Sequence, residues 1–232
     1  METQGKLPEA GRAITAWRRF EVQGEGTPIP WAGVGAISRW LSEQNSKTAL
    51  VASHLVLLAA DTYMRQSDIF QIQGGDVATS EKYGLALTLG VPERGASTKT
   101  GVRQGVRPDF KGSEALLQHY KGGRSSGELL FPLSQVAFAT WWRKAGEGLR
   151  YDPGPPHTLR HVGPSHDVMA NYRTWEQVRN RGRWRAPSSC LRYAKSHQLI
   201  KAIECLPKDL TVYGEEHLEA MGFRHRDEVP RS

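Results

Sequence analysis

Four residues suited to work on a phosphodiester stand in the second half of this chain. They are His157 and Arg160 in His157-Thr158-Leu159-Arg160, Trp184 in Gly182-Arg183-Trp184, and Tyr193, nine residues beyond the tryptophan. An arginine offers a planar fork of donors that matches two phosphate oxygens. Residues three apart share one face of a helix, so His157 and Arg160 can address one group. An indole N–H donates a hydrogen bond but carries no transferable proton at neutral pH. A phenol can act as a nucleophile and hold the phosphoryl group covalently. Together these types permit DNA strand cleavage through a phosphotyrosine. Taken singly, each has an ordinary reading: Tyr193 as a half-buried helix aromatic, Arg160 and His157 as a short chance match.

The chain has 232 residues, 38% hydrophobic and 24% charged, enough to bury a core. Its net charge of +7 points to a polyanionic or anionic partner. Two cysteines, Cys190 and Cys205, supply neither a disulfide framework nor a four-cysteine zinc site. A reducing intracellular compartment is the simpler expectation, the nucleus in a eukaryote and otherwise the cytoplasm or nucleoid. No apolar run reaches the roughly 20 residues needed to span a bilayer, and the polar start Met1-Glu2-Thr3-Gln4-Gly5-Lys6 is no secretory signal. No membrane is expected as a partner.

Residues 1–27 lack periodicity and read as a loose or partial N-terminal arm. After Pro28-Ile29-Pro30-Trp31, the spacing of Ile37, Trp40 and Leu41 predicts a helix over 33–43. Asn45-Ser46-Lys47 can cap the next helix, whose Ala49–Ala60 stretch is apolar nearly all round and belongs in the core. That helix delivers Tyr63, Met64 and Arg65 at its end. The alternation from Gly84 to Leu89, and the glycines 95, 101 and 105, predict two or three antiparallel strands. Further helices are expected over 113–120, 133–144, 165–172, 175–181 and 188–206, with another at 215–221. The order of helices, small sheet and more helices gives an α+β fold, mostly helical with a small antiparallel sheet.

Five segments in order resemble the catalytic domain of the tyrosine recombinases, or phage-integrase family, from about Pro28 to about Leu206. They are Thr62-Tyr63-Met64-Arg65-Gln66-Ser67-Asp68-Ile69 with Gln73-Gly74-Gly75-Asp76-Val77, Thr98-Lys99-Thr100-Gly101, His157-Thr158-Leu159-Arg160-His161, Arg181-Gly182-Arg183-Trp184, and Leu191-Arg192-Tyr193-Ala194-Lys195. The resemblance implies the fold of the DNA breaking-rejoining enzymes, with Arg65 as the first catalytic arginine and Asp68 steadying it. Lys99 takes the place of the hairpin lysine, with Lys82 as its alternative. His157 and Arg160 stand in a His-x-x-Arg-His pattern, in which His161 packs or donates to the backbone. Trp184 stands where many relatives have the histidine of Leu-Gly-His. Tyr193 is the implied nucleophile, and Tyr172 and Tyr213 are the competing phenols.

What the resemblance implies is a site-specific recombinase or integrase of a mobile element, working on double-stranded DNA as a homotetramer on two sites. It needs no cofactor or metal. Arg179, Arg181, Arg183 and Arg185 are expected to pair with phosphates beside the cut, or else to form a solvated basic face. Residues 28–206 form the expected catalytic domain, and 207–232 a C-terminal tail that is frayed or makes an oligomer contact. Two other functions are compatible with these residues. One is a truncated, non-catalytic DNA-binding remnant, since residues 1–27 are too few for the family's helical core-binding domain. The other is a type IB topoisomerase-like activity.

Overall fold

A computed structural model describes residues 26–91, 104–186, 190 and 195–223. Its centre is α2 (Lys47–Thr62), in which Leu55, Val56, Leu57 and Leu58 are all fully buried. A helix apolar on every side has no solvent face and must be surrounded. The surrounding elements are α1 (Trp31–Ser42), the single turn α3 (Gln66–Ile69), α4 (Lys111–Gly122), α5 (Gln135–Leu149) and α6 (Leu159–Met169). Ser46 caps α2 by accepting the Ala49 N–H at 3.4 Å, as its type predicts.

The sheet has three antiparallel strands in the order β1 (Val77–Ser80), β2 (Gly84–Leu89) and β3 (Gln104–Val106). Val77 pairs with Leu87 and Leu87 with Val106, so one face presents Val77, Leu85, Leu87, Leu89 and Val106 to the core. This alternation buries every second side chain of β2. The expected α+β architecture, mostly helical with a small antiparallel sheet, is the one observed.

Two of these helices differ from expectation, each for a physical reason. Helix α6 starts at Leu159 rather than Ser165 and carries Pro164 inside it. An interior proline argues locally against a helix, but Val162, Gly163 and Pro164 are buried against α2, and packing overrides propensity. The helix expected over 188–206 is represented by α8 (Ser196–Cys205). Lys195 before it has φ −117° and ψ 60°, which is not helical, so α8 begins afresh. Helix α7 (Trp175–Arg181) has the expected bounds, capped by Thr174 and Gln177 in reciprocal bonds of 3.3 and 2.8 Å.

In the segment expected to be a tail, α9 (Lys208–Ala220) is a full helix that crosses α1 of its own chain. The crossing is close because a β-carbon at Gly214 would lie 1.8 Å from the Ala32 carbonyl oxygen, and one at Gly35 2.3 Å from that of Gly214. His217 of α9 meets Ser38 at 3.0 Å, and Ser38 meets Ser53 of α2 at 2.8 Å, so one buried polar chain ties three helices together.

Burial, reinforced by Arg39, lowers His217 from 6.5 to about 4. Burial likewise lowers His54, which contacts the Tyr120 hydroxyl at 2.8 Å, to about 4. Both are neutral when folded, whereas the unfolded chain binds their protons near 6.5. Their contribution to stability is therefore complete above pH 6.5 and is lost as pH falls towards 4. Thermal unfolding should show Tm declining across that window, with a shallower decline in a His54→Gln/His217→Gln variant.

Candidate functional site

Helix α2 ends at Tyr63, whose φ of 54° and ψ of 29° place it in the left-handed region. For a residue with a β-carbon this conformation costs roughly 1–2 kcal/mol. The Tyr63 phenol donates a short hydrogen bond to Asp167 of α6, and its ring is fully buried. Burial, with the Asp167 charge, raises this phenol well above its ordinary value, so it stays a neutral donor. The Tyr63 carbonyl accepts from Arg160 Nη1 at 2.5 Å and from Arg183 Nη2 at 3.0 Å.

Around that carbonyl the structure gathers Arg160, Arg183, Trp184 and the backbone leading into Arg65. Arg160 Nη2 reaches the Gly182 carbonyl at 2.6 Å, and its guanidinium carbon lies 4.9 Å from the centre of the Trp184 ring. A cation over an indole face is attracted by the ring quadrupole. Gly182 is obligatory, because a β-carbon there would meet Trp184 Cζ3 at 1.9 Å. Arg65 opens α3; its backbone N–H donates to Asp68 Oδ2 at 3.2 Å, and its Nη1 lies 3.8 Å from the same oxygen. Among the described residues Arg65 Nη1 and Arg183 Nε are buried without a hydrogen-bond partner. Three guanidinium-bearing side chains meet here, Arg65 of them paired with Asp68, and such a cluster of cations is suited to an oxyanion.

His157 stands apart from this cluster. It is exposed on the 3-10 turn Pro156–Thr158 that runs into α6, with its ring 6.2 Å from that of His161. Lys99 lies in the connection between β2 and β3, outside the described residues, as does Tyr193. The chain is nonetheless anchored on both sides of Tyr193. Cys190 is buried in one cluster with Tyr63, Val178 and Trp184, and the Lys195 N–H donates to Ser165 of α6 at 2.9 Å. Of the competing residues, Lys82 stacks over Tyr83 at 4.9 Å. Tyr213 is bonded to Glu43 at 2.7 Å, where α9 meets α1.

The four alternating arginines do not form one outward row. Arg185 is exposed and Arg179 is one-third exposed, 3.6 Å from Glu176. Arg181 instead turns inward to Asp61 at 3.1 Å and Asp109 at 2.7 Å, and Arg183 is 7% exposed. The turn after α7 reverses the chain: Arg183 has φ 58°, so alternation in sequence is not alternation in space. Burial lowers the Arg183 guanidinium to about 10, which leaves it charged at neutral pH.

Sequence reading passed over the ionic frame behind the site. Arg173 bonds Asp167 and, at 2.7 Å, Asp109, while Asp61 accepts the N–H groups of Asp109 at 3.1 Å and Phe110 at 3.3 Å. Burial opposes the Arg173 charge, but Asp167 and Asp109 outweigh it and hold the guanidinium charged. These residues come from three distant segments, around Asp61, Asp109 and Asp167–Arg173, and no local spacing announces their meeting. Among the described residues no group of three or more His, Cys, Asp or Glu side chains is placed to hold a metal ion.

No protein-family profile matches the sequence, and no curated protein does. Among solved structures, the crystal structure of XerA recombinase superposes with a TM-score of 0.51 at 12% sequence identity. The match covers 83% of this chain and 64% of that one. The fold is recombinase-like. Within the recombinase-like fold, the described residues contain no helix long and apolar enough to cross a membrane.

Proposed function

We propose that this chain cleaves and rejoins DNA strands through a 3′-phosphotyrosyl intermediate, as a recombinase of the tyrosine type. The observation that carries the proposal is the convergence of Arg160, Arg183 and Trp184 on the turn leading into Arg65, in a recombinase-like fold. Arg65 and Arg160 take the nonbridging oxygens of the scissile phosphate, and Trp184 backs Arg160 with its ring. Negative charge that grows on phosphorus oxygens in the transition state meets guanidinium groups already in place. The Tyr193 oxygen bonds to phosphorus and displaces the 5′ oxygen, which leaves with a proton from Lys99. His157 takes the phenolic proton of Tyr193 as the oxygen attacks, a role the indole of Trp184 cannot fill. Attack by a 5′ hydroxyl reverses the step, so strand joining needs no external energy source.

Arg179 and Arg185 are the outward cations suited to flanking phosphates, where they add affinity that weakens with salt. The partner is double-stranded DNA, and exchange between two duplexes requires several copies of the chain.

The test uses nicked suicide duplexes carrying a randomised segment, so that no target site has to be assumed. The expected result is a covalent protein–DNA adduct resistant to denaturant, enriched for particular sequences and abolished by Tyr193→Phe. Retained duplex binding with no adduct would replace this reading by a non-catalytic DNA-binding protein. Relaxation of supercoiled plasmid without joining of two partners would favour a topoisomerase-like activity.

A further inference from the structure

Arg183 carries a burden that its place in the chain does not require. In the Leu-Gly-His pattern that the segment resembles, a glycine precedes the residue whose place Trp184 takes. Here an arginine stands before Trp184, in the left-handed region at φ 58°. A glycine adopts that backbone freely, whereas a side chain there is strained by roughly 1–2 kcal/mol. The Arg183 side chain is moreover drawn out of water, at 7% exposure. Both terms oppose an arginine at this position, and what offsets them is visible in its contacts.

Its Nη1 donates to the carbonyls of Thr62 at 3.4 Å and Arg181 at 3.1 Å, and its Nη2 to the Tyr63 carbonyl at 3.0 Å. The guanidinium thus spans the turn after α7 and the last residues of α2. The Tyr63 oxygen is the one on which Arg160 also rests, at 2.5 Å. A carbonyl oxygen has two lone pairs, so a donor held on one side directs Arg160 to the other. The same turn carries the Gly182 carbonyl and the Trp184 ring, both of which also support Arg160.

We infer that Arg183 is a positioning residue: it bolts the Gly182–Trp184 turn to the end of α2 and thereby sets the direction of the Arg160 guanidinium. Its catalytic consequence rests on the proposed strand-transfer function, whereas the placement of Arg160 does not. Arg183 acts through Arg160 rather than by contact with DNA, which separates it from the outward Arg179 and Arg185.

The experiment compares the wild-type chain with Arg183→Gly and Arg183→Lys. Glycine removes the fork and also relieves the backbone strain, and lysine keeps the charge without the fork. With the suicide duplexes, Arg183→Gly should form adduct at least about tenfold more slowly at saturating DNA, because a small misplacement of a catalytic group costs that much or more. Its duplex Kd should stay within about threefold of wild type. Methylguanidinium should restore part of the rate to the glycine variant, and Arg183→Lys should recover little. An unchanged saturating rate overturns the inference, as does a loss confined to Kd, which would make Arg183 a DNA contact.

The second measurement needs no cleavage. In arginine-labelled protein the Arg160 Nε–H resonance should be sharp and slow to exchange in wild type, and broadened or fast-exchanging in Arg183→Gly. An Arg160 resonance identical in the two proteins overturns the inference even in a chain that forms no adduct. A wild-type chain that forms no adduct but shows the Arg160 change defeats the strand-transfer function and leaves the positioning role standing.

Discussion

Replacing Arg160 with lysine should slow adduct formation by about two to three orders of magnitude, the loss typical when a preorganised donor to a developing oxyanion is removed. An ammonium is one point of charge. It cannot rest on the Tyr63 and Gly182 carbonyls at once, lie over the Trp184 ring and still present a flat edge to phosphate. The same change leaves a buried carbonyl short of its donor, at about 1–3 kcal/mol for each such group. Single-turnover adduct formation and urea unfolding read the two effects separately. A lysine variant that reacts at the wild-type rate would remove Arg160 from the proposed mechanism.

Gly163→Ala should lower stability by about 3 kcal/mol, at the upper end of the usual range for overpacking. The added β-carbon would lie 2.1 Å from Tyr63 Cε1 and 2.7 Å from the Ala60 carbonyl oxygen. One of these neighbours is helix backbone, and the other is a fully buried ring held by Asp167. Neither can give way without parting α6 from α2, and with it Arg160 from the Tyr63 carbonyl. Calorimetry should show Tm lower by about 6–12 °C, accompanied by slower adduct formation. Gly122→Ala is the control: nothing lies within 4 Å of its β-carbon, and its Tm should hold or rise slightly.

The distinction between Arg160 and Gly163 also shows how the fold and the site are joined. Helix α6 supplies the guanidinium on one turn and the close approach to α2 on the next. The site is therefore tied to a close, fully buried contact between α6 and α2. The ionic frame of Asp61, Asp109, Asp167, Arg173 and Arg181 adds a second constraint, since it pins both the end of α2 and the start of α4. Buried pairs of this kind add little net stability, but removing one partner strands a charge.

Much of this was readable along the chain because it depends on neighbours in sequence. The apolar run of α2, the Ser46 cap and the alternation of Leu85, Leu87 and Leu89 are all local patterns with one favourable geometry each, whereas the Arg65–Asp68 pair was implied by the resemblance. The resemblance, not any spacing, assigns Arg160 and Trp184 to one site, and the guanidinium–ring contact between them at 4.9 Å is visible only in the fold.

Other features depended on contacts between distant segments, where one-dimensional pattern carries no information. Arg179, Arg181, Arg183 and Arg185 alternate in sequence, yet Arg181 at the end of α7 and the left-handed Arg183 beyond it both turn inward to the end of α2. The helix expected over 165–172 begins earlier and runs through Pro164 because it packs on α2, and the one expected over 215–221 spans Lys208–Ala220, where Gly35 and Gly214 let two backbones touch. The Tyr63 carbonyl, the hub of the candidate site, is a backbone atom common to every residue. Residue types and their local periods were enough to read the mostly helical architecture and the small sheet, while the candidate chemistry was read through a resemblance. Which cations meet on one oxygen, and which carboxylates hold them there, followed from long-range packing alone, since those partners come from separate elements and touch only once the core has closed.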